Sequence, residues 1–141
     1  MTFRSDDEIE AIGKGLAART LAKAEWTHAA HFAAAVWLLR QRGEAAFAEM
    51  PGMIRAYNES VGGQNTDTEG YHETITAASL TMARAHLAAH VGAAMHEQVN
   101  ALLAGPCGAP DWILAYWSRE RLFSVAARRG WVAPDLAPLP E

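Results

Sequence analysis

The chain is short of cysteine, of long apolar runs and of basic charge. It has one cysteine, Cys107, in 141 residues, which excludes an internal disulfide framework. No apolar stretch approaches the roughly 20 residues that a membrane-spanning helix requires. The net charge of -4 is opposite to the basic surface that general nucleic-acid binders carry. We therefore expect neither a membrane nor a nucleic acid as the partner.

The beginning of the sequence has little apolar character. It reads MTFRSDDEIE, which is acidic and lacks the apolar core of a secretory signal. Cys107 lies in a Gly-Pro-Cys-Gly segment without a pattern that would activate its thiolate, so it is expected to be structural or incidental. These features predict a cytoplasmic, bacterial-type protein.

Residues that favour strands are also sparse, whereas alanine is abundant. Alanine has the best helix propensity, and Val, Ile and Thr are the stiff residues that favour strands. A length of 141 residues corresponds to about one domain with a core of its own. The sequence therefore predicts an all-α fold: a single-domain helical bundle over 1–133, followed by an extended Pro-rich tail over 134–141.

Apolar spacing and helix-ending residues predict where the helices lie. Two long helices, near 21–42 and 71–103, are expected at the centre of the bundle. Gly92 lies inside the second and indicates close packing or a bend. The shorter elements are predicted at 6–19, at 44–60 with an interruption at Pro51, at 111–117 and at 118–129, and residues 61–70 form a loop.

Two sequence stretches concentrate the side chains that ligate metals. In the first, Glu25, His28 and His31 are spaced by three, which makes them neighbours on a helix surface. In the second, His72 is predicted at the start of another helix. Three imidazoles with a water are the usual open arrangement of catalytic zinc, although iron or nickel also accepts imidazole. Glu25 or Glu73 is then the candidate that moves a proton on a metal-bound water.

A polar pocket is predicted beside these histidines. Tyr57, Asn58 and Tyr71 are the candidates to line it and to bind a small polar molecule or cofactor. Two alternatives to a metal protein remain. In the first, the histidines and Tyr71 bind a small ligand without metal. In the second, they are hydrogen-bonded core residues of a structural protein that forms a homodimer.

Three further groups are given mainly structural interpretations. His86 and His90, four apart, are either a metal pair or residues that face solvent or a subunit contact. The aromatic cluster near the C-terminus is expected to pack in the core or at a dimer contact rather than to form a ligand cage; it consists of Trp112, Tyr116, Trp117 and Phe123. The nearby arginines are interpreted as a solvated basic helix face; they are Arg119, Arg121, Arg128 and Arg129.

Several segments together resemble a known group of sequences. They are EWTHAAH at 25–31, IRAYN at 54–58, GYHETIT at 70–76, SRERLFS at 118–124 and PDL at 134–136. Through them the chain resembles a group of small, uncharacterised bacterial all-helical proteins with no established activity. The resemblance covers most of the length and implies a site around His28, His31 and His72. The Glu-x-x-His spacing is also shared with di-iron bundles, whose remaining carboxylates have no evident counterparts here.

Overall fold

The computed structural model describes residues 3–140, which are largely helical and contain no strand. This confirms the predicted all-α single-domain fold. The longer helices are α1 (Asp6–Ala18), α2 (His28–Arg42), α3 (Ala46–Ser60), α4 (Glu73–Ala89) and α5 (Met95–Ala104). Two short helices follow, α6 (Arg119–Leu122) and α7 (Val125–Arg129).

Helix α2 forms the centre of the bundle. Its residues from Phe32 to Leu39 are all buried, and α1, α3, α4 and α5 pack around it. Close approach of α1 depends on Gly13, where an added Cβ would lie 2.2 Å from the Trp37 ring. A helix that is apolar around most of its circumference must be covered on most sides, which explains its central position.

The predicted helix near 21–42 begins later, at His28. Residues 21–27 run irregularly, with a 3-10 turn at Lys23–Glu25. Thr27 is the N-cap of α2, and its side chain accepts a hydrogen bond of 3.1 Å from the amide of Ala30. Because threonine satisfies an otherwise unpaired amide at a helix start, it ends the irregular segment there. The predicted helical face that joins Glu25 to the two histidines is therefore wrong.

The predicted helix over 71–103 is two helices. Helix α4 ends at Ala89, and a turn over 90–94 leads into α5. Gly92 has a φ of +90°, a left-handed conformation that no helix interior adopts. The chain therefore bends at Gly92, and the second half of the predicted helix turns back along the bundle to contact α1 and α2.

Three predictions for the shorter elements also need correction. Helix α3 continues through Pro51, which lies early in the helix. Proline lacks an amide proton, so one helical hydrogen bond is lost, but the helix does not end there. The predicted helix at 118–129 is split, because the Ser124 side chain caps α7 by accepting from the amide of Ala127. The predicted helix at 111–117 is a 3-10 turn at Trp112–Ala115.

The Pro-rich tail, as far as residue 140, forms neither helix nor strand and is hydrogen-bonded to the domain. The Asp135 carboxylate accepts hydrogen bonds from the backbone amide and hydroxyl of Ser118, at 2.8 and 2.7 Å. The amide of Leu136 donates to the carbonyl of Tyr116 at 2.9 Å. Residue 141 lies outside the described residues. Across 3–140, no helix is both long and apolar enough to cross a membrane.

Candidate functional site

Two clefts meet at His31, in the first turn of α2. The polar cleft has a volume of about 460 Å³, and its lining includes His31, Asn58, Gln64, Tyr71, His72 and Thr76. The aromatic cleft has a volume of about 470 Å³, and its lining includes Trp26, His28, His31, Phe32, Trp112 and Arg119. Trp26, His31 and Ile75 line both and form the wall between them. Both volumes lie in the range of small-molecule pockets.

The His31 imidazole is half-buried in this wall and makes no hydrogen bond to any residue in 3–140. Its ring lies 5.2 Å from the Trp26 ring, measured between centroids. Burial, together with the nearby His28, lowers the pKa of His31 to about 4. The ring is therefore neutral at pH 7, with one nitrogen that donates and one that accepts.

His28 is held by the loop after α5. Its Nε2 lies 2.7 Å from the carbonyl oxygen of Cys107. Because a carbonyl only accepts, Nε2 carries the proton, and in the neutral ring Nδ1 keeps its lone pair. The Cys107 side chain is buried, and burial raises its thiol pKa to about 11, which agrees with the expectation of a structural or incidental residue.

His72 is the N-cap of α4, and both of its ring nitrogens are used. Nδ1 accepts from the amide of Ile75 at 3.1 Å, and Nε2 donates to the carbonyl of Leu122 at 2.7 Å. Burial is the main cause that lowers the pKa of this ring. A metal at His72 would have to displace either the helix cap or the contact with α6.

The three histidines are consequently not assembled as a preformed metal site. No three or more His, Cys, Asp or Glu side chains are grouped to hold a metal anywhere in 3–140. His28 and His31 lie close enough for one charge to affect the other, and His72 shares the polar cleft with His31. The metal hypothesis stays a prediction, and of its three ligands His31 has the imidazole without a protein partner.

The two candidate carboxylates line neither cleft. Glu25 is exposed in the irregular segment before α2 and lines a separate depression against α1, together with Phe3 and Glu8. Glu73 accepts a hydrogen bond of 2.5 Å from the Tyr71 hydroxyl. Their predicted role in moving a proton beside the histidines therefore has no geometric support in this arrangement.

The three candidate pocket residues divide into one support and two lining residues. Tyr57 is buried, donates to the Leu21 carbonyl at 2.9 Å and packs its ring 5.7 Å from Trp26. Burial, and then Glu25, raises the pKa of Tyr57. Asn58 and Tyr71 line the polar cleft. Burial, reinforced by Glu73, raises the pKa of Tyr71, so its hydroxyl stays protonated.

One wall of the polar cleft is the loop over 61–70, and Asn65 organises it. The Asn65 amide accepts from Asn58 and from the backbone of Tyr71, and it donates to the carbonyl of Arg55. Gly70 closes the loop with a φ of +82°, where an added Cβ would lie 2.1 Å from the Gln64 carbonyl. The turn-forming residues predicted a loop, but not that its hydrogen bonds would shape a cleft.

Sequence reasoning gave no ligand-binding role to Trp26, Gln64, Asp111 and Arg119, which line the clefts. Trp26 and Arg119 lie inside motifs on which the resemblance is based, and those motifs were the sequence feature that could have pointed to the two residues as part of a site. Gln64 and Asp111 had no signal, because glutamine and aspartate are ordinary residues of exposed loops.

Comparisons with protein-family models, with curated proteins and with solved structures found no match for this chain. The resemblance through EWTHAAH and GYHETIT therefore stays a prediction. What the two clefts bind has to be inferred from the side chains that line them.

Proposed function

We propose that this protein binds a small polar organic molecule in the polar cleft, without a metal, and that His31 is the main recognition group. The observation that carries the proposal is the His31 ring, which has no hydrogen-bond partner in 3–140 and borders an open cleft. Because no protein group bonds this ring, both its donor and its acceptor nitrogen are available to a ligand in the cleft.

The lining of the polar cleft supports a neutral or weakly charged ligand. His31 is neutral at pH 7 because its pKa is about 4, so it offers one donor and one acceptor rather than a positive charge. Asn58 and Gln64 add amide groups, and Trp26 adds an aromatic wall. Lys23 and Glu69 bring opposite charges to the same lining, which gives the cleft no single sign.

The metal-free interpretation is favoured over the metal one by how His72 is used. Its Nε2 donates to the Leu122 carbonyl and its Nδ1 caps α4, so neither nitrogen is left for a metal. The structural alternative, with the histidines as hydrogen-bonded core residues, accounts for the rings of His28 and His72 but leaves His31 without a partner. A ligand accounts for all three.

The test is a binding screen by NMR on ¹⁵N-labelled protein in excess EDTA, with a library of small polar fragments. We expect fragments that shift the Trp26 indole and the Asn58 and Gln64 side-chain amides, and we expect those shifts to vanish in His31→Leu. His86→Leu is the matched control, since His86 is also half-buried and lines neither cleft.

The proposal would be overturned if no fragment shifted these signals in the wild type, or if the shifts persisted unchanged in His31→Leu. A second arm omits EDTA and titrates zinc, iron(II) and nickel alone. Stoichiometric binding of one of these metals that is lost in His28→Leu and His31→Leu would establish the metal interpretation instead.

A further inference from the structure

Two opposite charges line the aromatic cleft, and neither is paired. Asp111 and Arg119 are both exposed, and their side chains make no hydrogen bond or ion pair with any described residue. The other arginines near the C-terminus are held by the protein, as Arg121 by the Ala133 carbonyl, Arg128 by the Gly70 carbonyl and Arg129 by Asp67. Arg119 therefore differs from its neighbours in being available to a ligand.

The rest of the aromatic cleft suits a planar ring. Phe32 and Trp112 lie with ring centroids 5.9 Å apart, and His28 meets Phe32 edge-on at 5.4 Å. Trp26 and Phe123 complete the aromatic part of the lining. Aromatic walls favour aromatic ligands through stacked and edge-to-face contacts as well as through the area they bury.

Two histidines contribute hydrogen-bond acceptors to the lining of the aromatic cleft. Nδ1 of His28 keeps a lone pair because Nε2 donates to Cys107. Neutral His31 offers a second acceptor in the same lining. A ligand ring that carries its own donor, as indole and phenol do, would satisfy one of them, whereas a bare phenyl ring would not.

We propose that the aromatic cleft is a binding site for a free aromatic α-amino acid with a polar hydrogen on its ring, of the tryptophan or tyrosine type. The ring lies between Trp26 and Trp112, the carboxylate meets Arg119 and the ammonium meets Asp111. An aromatic acid alone would leave Asp111 without a partner, and an aromatic amine alone would leave Arg119 without one. The zwitterion satisfies both.

This site shares Trp26, His31 and Ile75 with the polar cleft and is distinguished from it by its other residues. Asp111, Trp112 and Arg119 line the aromatic cleft and not the polar one, while Asn58 lines the polar cleft and not the aromatic one. An experiment that disproves one of the two proposals therefore does not disprove the other. Variants at Asp111 and Arg119 test the amino-acid site, and Asn58→Ala should leave it unchanged.

The experiment is isothermal titration calorimetry of the full chain with L-tryptophan and L-tyrosine, beside three probes that each lack one feature. Indole-3-propionate lacks the ammonium, tryptamine lacks the carboxylate and L-leucine lacks the ring. We expect L-tryptophan to bind, and each probe to bind about fivefold or more weakly, since one charge pair or the stacking contact is lost. The Trp112 indole signal, followed by NMR, should shift on binding.

The variants assign each charge. Arg119→Gln should weaken L-tryptophan about fivefold and leave tryptamine unchanged, and Asp111→Asn should weaken L-tryptophan about fivefold and leave indole-3-propionate unchanged. The control Glu120→Gln changes an adjacent exposed charge that lines neither cleft. Circular dichroism checks that all variants are folded.

Two results would overturn the proposal. One is the absence of any heat or NMR shift with millimolar L-tryptophan and L-tyrosine. The other is binding that neither Arg119→Gln nor Asp111→Asn alters, or that shifts the Asn58 side-chain amide and not the Trp112 indole. Binding of all aromatic probes with equal affinity belongs to the second result, because it would leave both charges without a role.

Discussion

The two ends of α4 use the same residue types in opposite ways. At its start, Gly70 and His72 fix the chain: the glycine is crowded by the Gln64 carbonyl, and both nitrogens of the buried histidine are bonded. At its end, Gly92 faces open space and His90 is exposed, bonded to the His86 carbonyl.

The difference follows from what packs against each end. The start of α4 meets α6, α7 and the loop over 61–70, and it borders both clefts. The end leads into a turn in which Val91 is 85% exposed. Substitution of a glycine or histidine should therefore be costly where three elements converge, and it should be tolerated where the chain only turns in solvent.

The largest expected effect sharpens this contrast at the two glycines. Gly70→Ala should cost about 3 kcal/mol or more, because the residue has a left-handed φ and its new Cβ would collide with backbone. Gly92→Ala shares the positive φ but has nothing within 4 Å, so it should cost about 1 kcal/mol. Urea denaturation followed by circular dichroism measures both, and equal costs would contradict the contrast.

The next effect is the pH dependence of stability. The folded pKa of His31 is about 4, below the ordinary value of 6.5, and the pKa values of His72 and His86 are also lowered. The unfolded chain therefore binds more protons, so stability is complete above about pH 6.5 and falls as the pH drops toward 4. The loss assigned to His31 approaches about 3 kcal/mol at the low end.

His31→Leu provides the check on that assignment. Urea midpoints from pH 7.5 to 4.5 should fall for the wild type and fall distinctly less for the variant. His86→Leu is the comparison variant, because it removes a second half-buried ring whose pKa is also lowered and so measures its share of the slope. An unchanged slope in His31→Leu would show that other groups bind the protons.

A smaller effect is expected at the capping histidine. His72→Leu removes the cap of α4 and leaves the Leu122 carbonyl without its donor, which should cost about 2 kcal/mol. His72→Asn can still cap the helix and should recover about half of that loss. His90→Leu should change stability by less than about 0.5 kcal/mol. Denaturant midpoints that rank these variants differently would break the comparison.

The smallest effect has the opposite sign. The Nε2 atom of His86 is buried without a partner, and its ring stacks on His90 at 4.0 Å. Burial, and then His90, lowers the pKa of His86, against a raising contribution from the Gln98 backbone. His86→Leu removes the unsatisfied atom and should gain about 0.5 kcal/mol at pH 7, measured by thermal and urea denaturation. A clear loss would mean that the nitrogen is satisfied in solution.

The grouping of the candidate residues in space was predicted in part. The motifs around His28, His31, Asn58, Tyr71 and His72 indicated one region, and His31, Asn58, Tyr71 and His72 do line one cleft. Their roles were harder to predict, because the role of a histidine depends on the atoms to which its ring nitrogens are hydrogen-bonded. For His28 and His72 those atoms are carbonyls 79 and 50 residues away in sequence, which no local pattern contains.

The predicted helix bounds were wrong where a capping or turn residue competes with an apolar helical pattern. Thr27 and Ser124 are capping residues inside apolar helical patterns, and their side chains end one element and begin the next. Gly92 similarly ends the helix despite the helical pattern around it. A left-handed conformation costs glycine little free energy and costs other residues more.

The sequence by itself determined the class of this protein. Abundant alanine with few β-branched residues favours helices, and the apolar run from Phe32 to Leu39 requires burial on most sides, whatever surrounds it. The tertiary structure alone decided which polar groups remain available. Hydrogen bonds between distant segments occupy His28 and His72 and leave His31 and Arg119 open, because such bonds form only when the fold brings their partners together.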